Sequence, residues 1–227
     1  MDTLVDAAYA WLRPRILDGS LAAGAKLRVE HLRSASGIGA TPLREALSRL
    51  SAERLVQATG QRGFRVAPVS LAELVDVTDN RILIECRAVE LSVKYGDVAW
   101  EASLVAAHHL LERTSRRDFP AWDAVNTSFH DALVSSCGSP WLLAMRKSLF
   151  DQHARYRALA SAAPPPRRGA PRDVDAEHAE LLAAALARRP RRAAELTEAH
   201  VRATAQVIRA SIGSRLPRTA PVLRPNP

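Results

Sequence analysis

The chain has 227 residues, of which 47% are hydrophobic and 5% aromatic, and its formal net charge is +8. That length suffices for two modest domains or one large one, and the prevalence of Ala, Leu and Arg favours helices and argues against a β-sandwich. The basic charge suits a polyanionic partner, although an arginine-rich composition alone would produce the same excess.

The sequence carries no pattern typical of membrane insertion or export. No apolar run approaches the roughly 18 residues that a membrane helix needs. The N-terminus has acidic residues where a signal peptide would be basic, so we expect a cytoplasmic protein with no membrane partner. Cys86 and Cys137 each fall within a helical pattern, and we expect buried thiols there rather than a disulfide.

The first 68 residues predict three short helices and a hairpin. Apolar residues recur at helical spacing, and a Gly-Ile-Gly turn separates the second helix from the third. Thr41 is suited to cap the third helix, with Pro42 at its first position. The predicted helices cover residues 4–17, 29–35 and 41–54, and the predicted strands cover 55–58 and 64–66 around a turn at 60–63.

The third helix is the most informative element. Its apolar residues share one face, which leaves Arg44 and Arg49 free to meet an outside partner. A helix followed at once by a basic hairpin is the arrangement of a winged helix-turn-helix that reads DNA. The alternative is an ordinary solvated helix and hairpin. We interpret residues 1–68 as a DNA-binding domain.

Residues 70–212 predict an all-helical bundle, so the fold as a whole is mostly α. Ser70 and Glu73 form a capping box that opens the first bundle helix. Residues 162–172, rich in Pro and Arg, are expected to be an exposed loop, and the tail at 213–227 is expected to be disordered. The bundle has about six predicted helices, over residues 71–95, 98–117, 119–137, 141–161, 174–189 and 191–212.

Three predicted helices each place a histidine among apolar neighbours. His130, His178 and His200 all fall on the inward faces, and a buried histidine is most often a hydrogen-bonded core residue. Three neutral imidazoles converging from separate helices would instead bind a divalent transition metal. Asn126 lies one helical turn before His130 and could be a weak fourth ligand or hold a water. Spacing alone leaves both readings open.

Two further pairs have the chemistry to bind a carboxylate. Arg81 and Glu85 lie one turn apart among apolar residues, and they are either a surface ion pair or an arginine turned into a cavity. Arg155 and Tyr156 offer a second pair of donors.

Several motifs together resemble the GntR superfamily of transcription regulators, in its FadR-like branch with a C-terminal FCD domain. The stretch TPLREALSRLSAERLV with GQRGFRVAPVS is similar to that family's N-terminal signature. NRILIE resembles the opening of its effector domain, and NTSFH, AEHAELL and EAHVRA resemble its metal-site segments.

The resemblance implies a homodimer that binds a double-stranded DNA operator through winged helices, and a helical bundle that binds a small organic acid, often beside a divalent metal such as Zn, Ni or Mn. The implied DNA-binding residues are Arg28, Thr41, Arg44, Arg49, Arg62 and Gly63. The implied metal ligands are His130, His178, His200 and Asn126. From the chemistry of their side chains, the candidate effector-binding residues are Arg81, Glu85, Asn126, Arg155 and Tyr156.

The chain departs from the family pattern at two places. Gly39-Ala40 precedes the Thr-Pro pair where an arginine is common, and Asn126 stands where an aspartate ligand is usual. Because the amide is neutral, a bound metal would leave more positive charge in the site. Either metal affinity falls, or an anionic effector compensates that charge. In these details and in residues 139–159 the chain resembles glutarate-type, carbon-starvation regulators.

We therefore predict a transcriptional repressor, not an enzyme. Its affinity for a palindromic operator changes when an organic acid such as glutarate binds. One alternative is a helical metallohydrolase built on the three histidines, for which no hydrolase motif is present. Another is a metal or ligand sensor that does not bind DNA.

Overall fold

A computed structural model of the chain describes residues 3–59, 63–163 and 172–218. The mostly helical fold predicted from the sequence is confirmed. In chain order the elements are α1 (Leu4–Leu17), β1 (Lys26–Leu27), α2 (Val29–Ser36), α3 (Ala40–Ala52), β2 (Val56–Ala58), β3 (Phe64–Val66), α4 (Leu71–Tyr95), α5 (Val98–Arg113), α6 (Phe119–Val134), α7 (Pro140–Ser161), α8 (Val174–Leu186) and α9 (Pro190–Ile212), followed by a 3₁₀ turn (Gly213–Arg215).

The described residues divide into two compact units. The first contains residues up to 74 together with 151–163 and the segment from 212 onward, and the second contains 75–150 and 164–211. Helices α4 and α7 therefore each contribute residues to both units. The division into a DNA-binding part at 1–68 and an effector part at 70–212 stays a prediction.

The first unit has its own apolar core, built mainly by α1 and α3. Thr3 caps α1 reciprocally with Asp6: the Thr3 hydroxyl accepts from the Asp6 N–H at 3.1 Å, and the Asp6 carboxylate accepts from the Thr3 N–H at 3.2 Å. The predicted inward face of α3 is confirmed, since its apolar residues are fully buried. The core includes Leu12, Ile16, Leu43, Ala46, Leu47, Leu50 and Leu55.

The start of α3 differs from the prediction. Its N-cap is Gly39, which is extended and makes no side-chain capping bond, and the helix begins at Ala40. Thr41 is thus the second helical residue rather than the cap, and its exposed hydroxyl remains available to a partner. Pro42 is tolerated there because N–H groups of the first helical turn have no partner within the helix.

The wing is a three-stranded sheet rather than the predicted hairpin. Strand β3 lies between β1 and β2 and runs antiparallel to both, with Lys26 opposite Arg65 and Val56 opposite Val66. Strand β1 was not predicted, because its two residues are too few to show alternation. Most of the predicted turn, including Arg62, lies outside the described residues, and Gly63 adopts φ +99°, which favours glycine.

The second unit packs helices around a core that includes Trp100, Leu104, Phe129, Leu133 and Leu181. Three of its helices end before the predicted positions: α5 at Arg113, α6 at Val134 and α8 at Leu186. A left-handed residue follows two of these ends, Gly138 at φ +69° after α6 and Arg188 at φ +54° after α8. Aspartates at 97, 118 and 173 cap α5, α6 and α8.

Both cysteines are free thiols, but the predicted burial holds only for Cys137, since Cys86 is partly buried. The tail prediction was wrong for residues 213–218. These residues contain the 3₁₀ turn, and the Pro217 carbonyl accepts from the Leu71 N–H at 2.8 Å. Residues 219–227 and most of the predicted loop at 162–172 lie outside the described residues. Within the described ranges, none of the helices has the length and apolar character needed to cross a membrane.

Candidate functional sites

The exposed face of α3 carries polar residues at helical spacing. Thr41, Arg44, Glu45 and Ser48 are exposed at relative positions 0, 3, 4 and 7, opposite the buried leucines. Arg28, at the N-cap of α2, is also exposed. This strip has the size and polarity of a helix face that enters a major groove, where hydrogen-bond donors and acceptors of bases are read.

Arg49 lies in a different environment from Arg44. Its guanidinium stacks over the Tyr9 ring at 4.0 Å and pairs with Asp6 at 3.4 Å and Glu53 at 3.8 Å. Its side chain is 52% exposed, yet its charge already has two carboxylate partners. The sequence did not reveal this, because Asp6 and Tyr9 meet α3 only through tertiary packing. The assignment of Arg49 to DNA binding stays a prediction.

The three predicted histidines do come together. His130 on α6, His178 on α8 and His200 on α9 are each no more than 7% exposed. Each has a nitrogen within 4.8 Å of a nitrogen of the others, and their ring centroids are 4.8–5.4 Å apart. Three imidazoles at this separation can bind one cation.

The hydrogen bonding of these rings also suits a metal. The Nδ1 atom of His130 and both ring nitrogens of His178 are buried without a hydrogen-bond partner among the described residues. Burial is the largest cause that lowers the pKa of all three histidines, that of His178 to about 3. Neutral rings with orphaned lone pairs are what a divalent transition metal requires, and an ordinary core histidine would be hydrogen-bonded instead. The residues present therefore fit a metal.

His200 has a carboxylate within hydrogen-bond distance of its ring. Its Nδ1 lies 2.8 Å from Glu177 Oε2, on α8. Arg172 binds the same carboxylate through Nε at 2.6 Å and also donates to the His200 carbonyl at 3.0 Å. Burial raises the pKa of Glu177, but hydrogen bonds from His200 and Arg172 outweigh it and lower that pKa to about 2. Glu177 is therefore an ionised acceptor.

Asn126 is buried on α6, one turn before His130, as predicted. Its amide oxygen is uncharged, so the four candidate ligands bring no negative charge of their own. Whether Asn126 is a ligand stays a prediction.

A buried ionic cluster accompanies the histidines. Arg81 Nε lies 2.6 Å from Glu85 Oε2, and Arg146 on α7 lies 3.4 Å from Glu85 Oε1. His130 Nδ1 lies 4.0 Å from the same Oε1 atom, so the cluster and the histidines are contiguous. Both guanidiniums also lie over the Phe150 ring, at 4.5 and 4.4 Å. The alternative of a surface ion pair for Arg81 and Glu85 is therefore wrong.

The two buried arginines of this cluster share one buried carboxylate. Burial raises the pKa of Glu85, but Arg81 and Arg146 outweigh it and lower that pKa to about 2, so Glu85 is ionised. Two buried arginines face one buried carboxylate; Asp131, which contacts Arg146, is largely exposed. The Nε atom of Arg146 is buried without a hydrogen-bond partner among the described residues, and a buried donor without a partner is costly. The cluster is therefore chemically suited to a carboxylate ligand.

Arg155 and Tyr156 are not part of this cluster. The structure places them in the first unit, where Arg155 donates to the Ala67 carbonyl and Tyr156 donates to Glu73 at 2.6 Å. The Tyr156 hydroxyl also accepts from the Ser70 N–H at 3.2 Å. Their donors are committed to the segment that precedes α4, which argues against the predicted assignment to effector binding.

Three residues of the site were missed from the sequence. Arg146 was not assigned, although it shares one face of α7 with Phe150 at a spacing of four. Glu177 directly precedes His178 in the chain but contacts His200, so its position in the sequence does not indicate which histidine it contacts. Arg172 is the last residue of the predicted loop at 162–172, a Pro-rich stretch without a periodic signal.

Comparison with known protein families gives two matches that together span most of the chain. Residues 4–66 match the family described as bacterial regulatory proteins, gntR family, and residues 76–203 match the FCD domain.

Two relatives are similar along most of their length. An HTH-type transcriptional regulator of Paraburkholderia xenovorans, BphR, is 39% identical over 91% of this chain and 86% of its own. The HTH-type transcriptional repressor GlaR of Escherichia coli is 40% identical over 85% of this chain and 90% of its own. Among solved structures, Escherichia coli McbR/YncC covers 92% of this chain and 98% of its own with a TM-score of 0.79, at 22% identity, which speaks to fold alone.

Proposed function

Because the chain belongs to the GntR family of bacterial regulatory proteins and carries an FCD domain, it is a DNA-binding transcriptional regulator, and we propose that it is a homodimeric repressor controlled by a small organic acid. The family predicted from the motifs is thereby confirmed. The similarity to the repressor GlaR supports the sign of regulation.

On the DNA side, the proposal assigns base and phosphate contacts to the exposed strip of α3. Arg44 is its cation, Thr41 and Ser48 add hydroxyls, and Arg28 adds a second cation. Arginine contacts to phosphate release counterions, so operator affinity should fall steeply with salt. Gly63 and Arg62 are proposed contacts from the wing, and Arg62 lies outside the described residues.

On the effector side, the proposal places a divalent metal on the three histidines, with Zn, Ni and Mn as candidates. The carrying observation is the set of buried ring nitrogens on His130 and His178 that have no hydrogen-bond partner among the described residues. When bound, such an ion supplies a Lewis-acidic site for an anionic oxygen. The chain itself contributes neutral nitrogens and the amide of Asn126, all on buried side chains.

The proposed effector is a carboxylate, and more narrowly a dicarboxylate such as glutarate. Arg81 and Arg146 are buried and share Glu85, and the Nε atom of Arg146 is buried without a hydrogen-bond partner among the described residues. A first carboxylate would meet the guanidinium donors, and a second would compensate the charge that neutral ligands leave on the metal. The resemblance of residues 139–159 to glutarate-type regulators supports the same class of acid.

The acid can alter transcription only by binding two conformations of the regulator unequally. The proposal is tested by footprinting the region upstream of the protein's own gene, with and without glutarate and Zn²⁺. Protected bases that disappear or shift on addition of the acid would support it, and an absence of protection under all conditions would refute it. A thermal-shift series of C3 to C6 acids, each with and without Zn²⁺, identifies the effector class.

The alternative of a metallohydrolase has one observation in its favour, which is a metal-binding geometry near ionised carboxylates. Both nearby carboxylates, however, have pKa values near 2 and are already bound by arginines, which suits neither a general acid nor a general base near neutral pH. Incubation of the zinc-loaded protein with simple esters would support a hydrolase only if turnover vanished in His178→Ala.

A further inference from the structure

We propose that Glu177 is the positioning residue of the metal centre, which sets the tautomer of His200 and supplies the negative charge that the neutral candidate ligands lack. The inference rests on the proposed metal centre and assigns a positioning role to a residue outside the proposed set of ligands. It concerns how tightly the site binds a cation, independently of DNA binding.

The tautomer follows from the contacts of the His200 ring. Glu177 Oε2 lies 2.8 Å from Nδ1, and an ionised carboxylate can only accept a hydrogen bond. Nδ1 must therefore carry the proton, because a bare nitrogen at this distance would face the carboxylate with its lone pair. Arg172 Nη2 also approaches Nδ1, at 3.3 Å, but the carboxylate is the closer partner. The lone pair of His200 is then on Nε2, away from Glu177 and available to a cation.

Glu177 is itself fixed by Arg172. The guanidinium binds both carboxylate oxygens, through Nε at 2.6 Å and Nη2 at 2.5 Å, and it is anchored in turn by the Thr204 hydroxyl at 3.0 Å and the His200 carbonyl at 3.0 Å. The ring of His200 is thus oriented by a carboxylate that cannot rotate freely. Carboxylates placed behind a metal-binding histidine in this way increase the basicity of the ring.

The other carboxylate near the histidines cannot provide the same charge. Glu85 lies 4.0 Å from His130, beyond hydrogen-bond distance, and two buried guanidiniums already offset its charge. Glu177 shares its charge with one guanidinium and with the His200 ring that it contacts directly. With Asn126 neutral, Glu177 is the carboxylate best placed to offset a divalent cation.

The first experiment measures Zn²⁺ affinity of the full-length protein by competition with a chromogenic chelator. Glu177→Gln keeps the size of the side chain and removes its charge, and we expect binding to weaken about 10- to 100-fold. The matched control is Glu180→Gln, which removes one charge from an exposed position on the same helix and should change the affinity less than about twofold.

The second experiment observes the tautomer without any metal. In metal-free wild-type protein, the ¹⁵N shifts of the His200 ring should report a protonated Nδ1, and Glu177→Ala should shift the population toward protonated Nε2. Equal Zn²⁺ affinity in wild type and Glu177→Gln, or a wild-type ring protonated at Nε2, would overturn the inference. If wild-type protein binds no Zn²⁺ at all, the proposed metal centre fails and this inference fails with it, which is a distinguishable result.

Discussion

Arg146 reaches Glu85 across 61 positions of sequence, with 3.4 Å between its Nη2 atom and Oε1 of the carboxylate. Arg81, on the same helix as Glu85, takes the other oxygen at 2.6 Å. One buried carboxylate is therefore shared by two guanidiniums, and the Nε atom of Arg146 is buried without a hydrogen-bond partner among the described residues. The shared Glu85 orients both arginines and leaves donor capacity for a ligand.

Replacing Arg146 with Gln should weaken acid binding. The loss of one charged hydrogen-bond donor costs about 1.5–3 kcal/mol, or roughly 10- to 100-fold in glutarate affinity. Zn²⁺ affinity should be retained, because Arg146 contributes no proposed ligand. Isothermal titration with each ligand separates the two effects.

The control for this variant is Lys147→Gln, which removes the same charge at the adjacent exposed position of α7. It should leave acid affinity within about twofold of wild type, since exposed charges interact weakly in water. If both variants bind glutarate as the wild type does, the arginine cluster is not the acid site.

Asn126→Asp should strengthen the binding of Zn²⁺ and weaken the binding of glutarate. A carboxylate one turn before His130 adds negative charge at a buried position, which we expect to raise Zn²⁺ affinity roughly tenfold or more. The same charge repels an anionic effector, so glutarate should bind less tightly to the metal-loaded variant. Unchanged affinity for both ligands would show that Asn126 does not face the site.

The helices were predictable because their signals are local. The inward face of α3, the capping pair of Ser70 with Glu73 and the long α4 follow from spacing and caps within one segment. The Ser70 hydroxyl does accept from the Glu73 N–H at 3.1 Å. Strand β1 was not predictable, since two residues pair only because β3 lies alongside.

Part of the candidate site was predictable because its signals are also local to one segment. The histidines were found because each falls among apolar residues at helical spacing within its own segment. Arg146 and the pairing of Glu177 with His200 depend on which helices meet, and no spacing within one helix encodes that. The sequence of Arg155 and Tyr156 shows donors but not the Ala67 and Ser70 groups that they contact, which argue against effector binding.

Arg44→Ala should weaken operator binding more than Arg49→Ala. Arg44 is exposed and no ion pair involving it is present in the described part of the chain, so its loss should cost about 1–3 kcal/mol of binding free energy. Arg49 is already paired with Asp6 and stacked on Tyr9, so its loss should cost under about 1 kcal/mol. Gel shifts with operator DNA at two salt concentrations measure both variants, and equal losses would show that Arg49 leaves its partners to contact DNA.

Tyr156→Phe should destabilise the first unit without affecting either ligand. The lost hydroxyl donates to Glu73 at 2.6 Å and accepts from the buried Ser70 N–H, which would remain unpaired at a cost of about 1–3 kcal/mol. Each kcal/mol lowers the Tm by roughly 2–4 °C for a chain of this length. Calorimetry measures the shift. Altered affinity for glutarate in a folded variant would reinstate Tyr156 as an effector ligand.

Acid should destabilise the metal-free protein in a pH range set by the buried histidines. Burial lowers the pKa of His178 from 6.5 to about 3, and it lowers those of His130 and His200 in the same direction. Between these pH values the unfolded chain binds protons that the folded chain does not, so the free energy of unfolding decreases as pH falls, by up to about 1.4 kcal/mol per pH unit for each such group. Glu85 and Glu177, whose pKa values are lowered from 4.5 to about 2, add to this loss only at more acidic pH.

Urea denaturation in the presence of a chelator from pH 7.5 to pH 5 should therefore show stability falling mainly below about pH 6.5, and His178→Leu should remove up to a third of the slope. A slope that is flat in wild type, or equal in the variant, would mean that these rings are protonated in the folded protein and are not the neutral ligands that a metal needs.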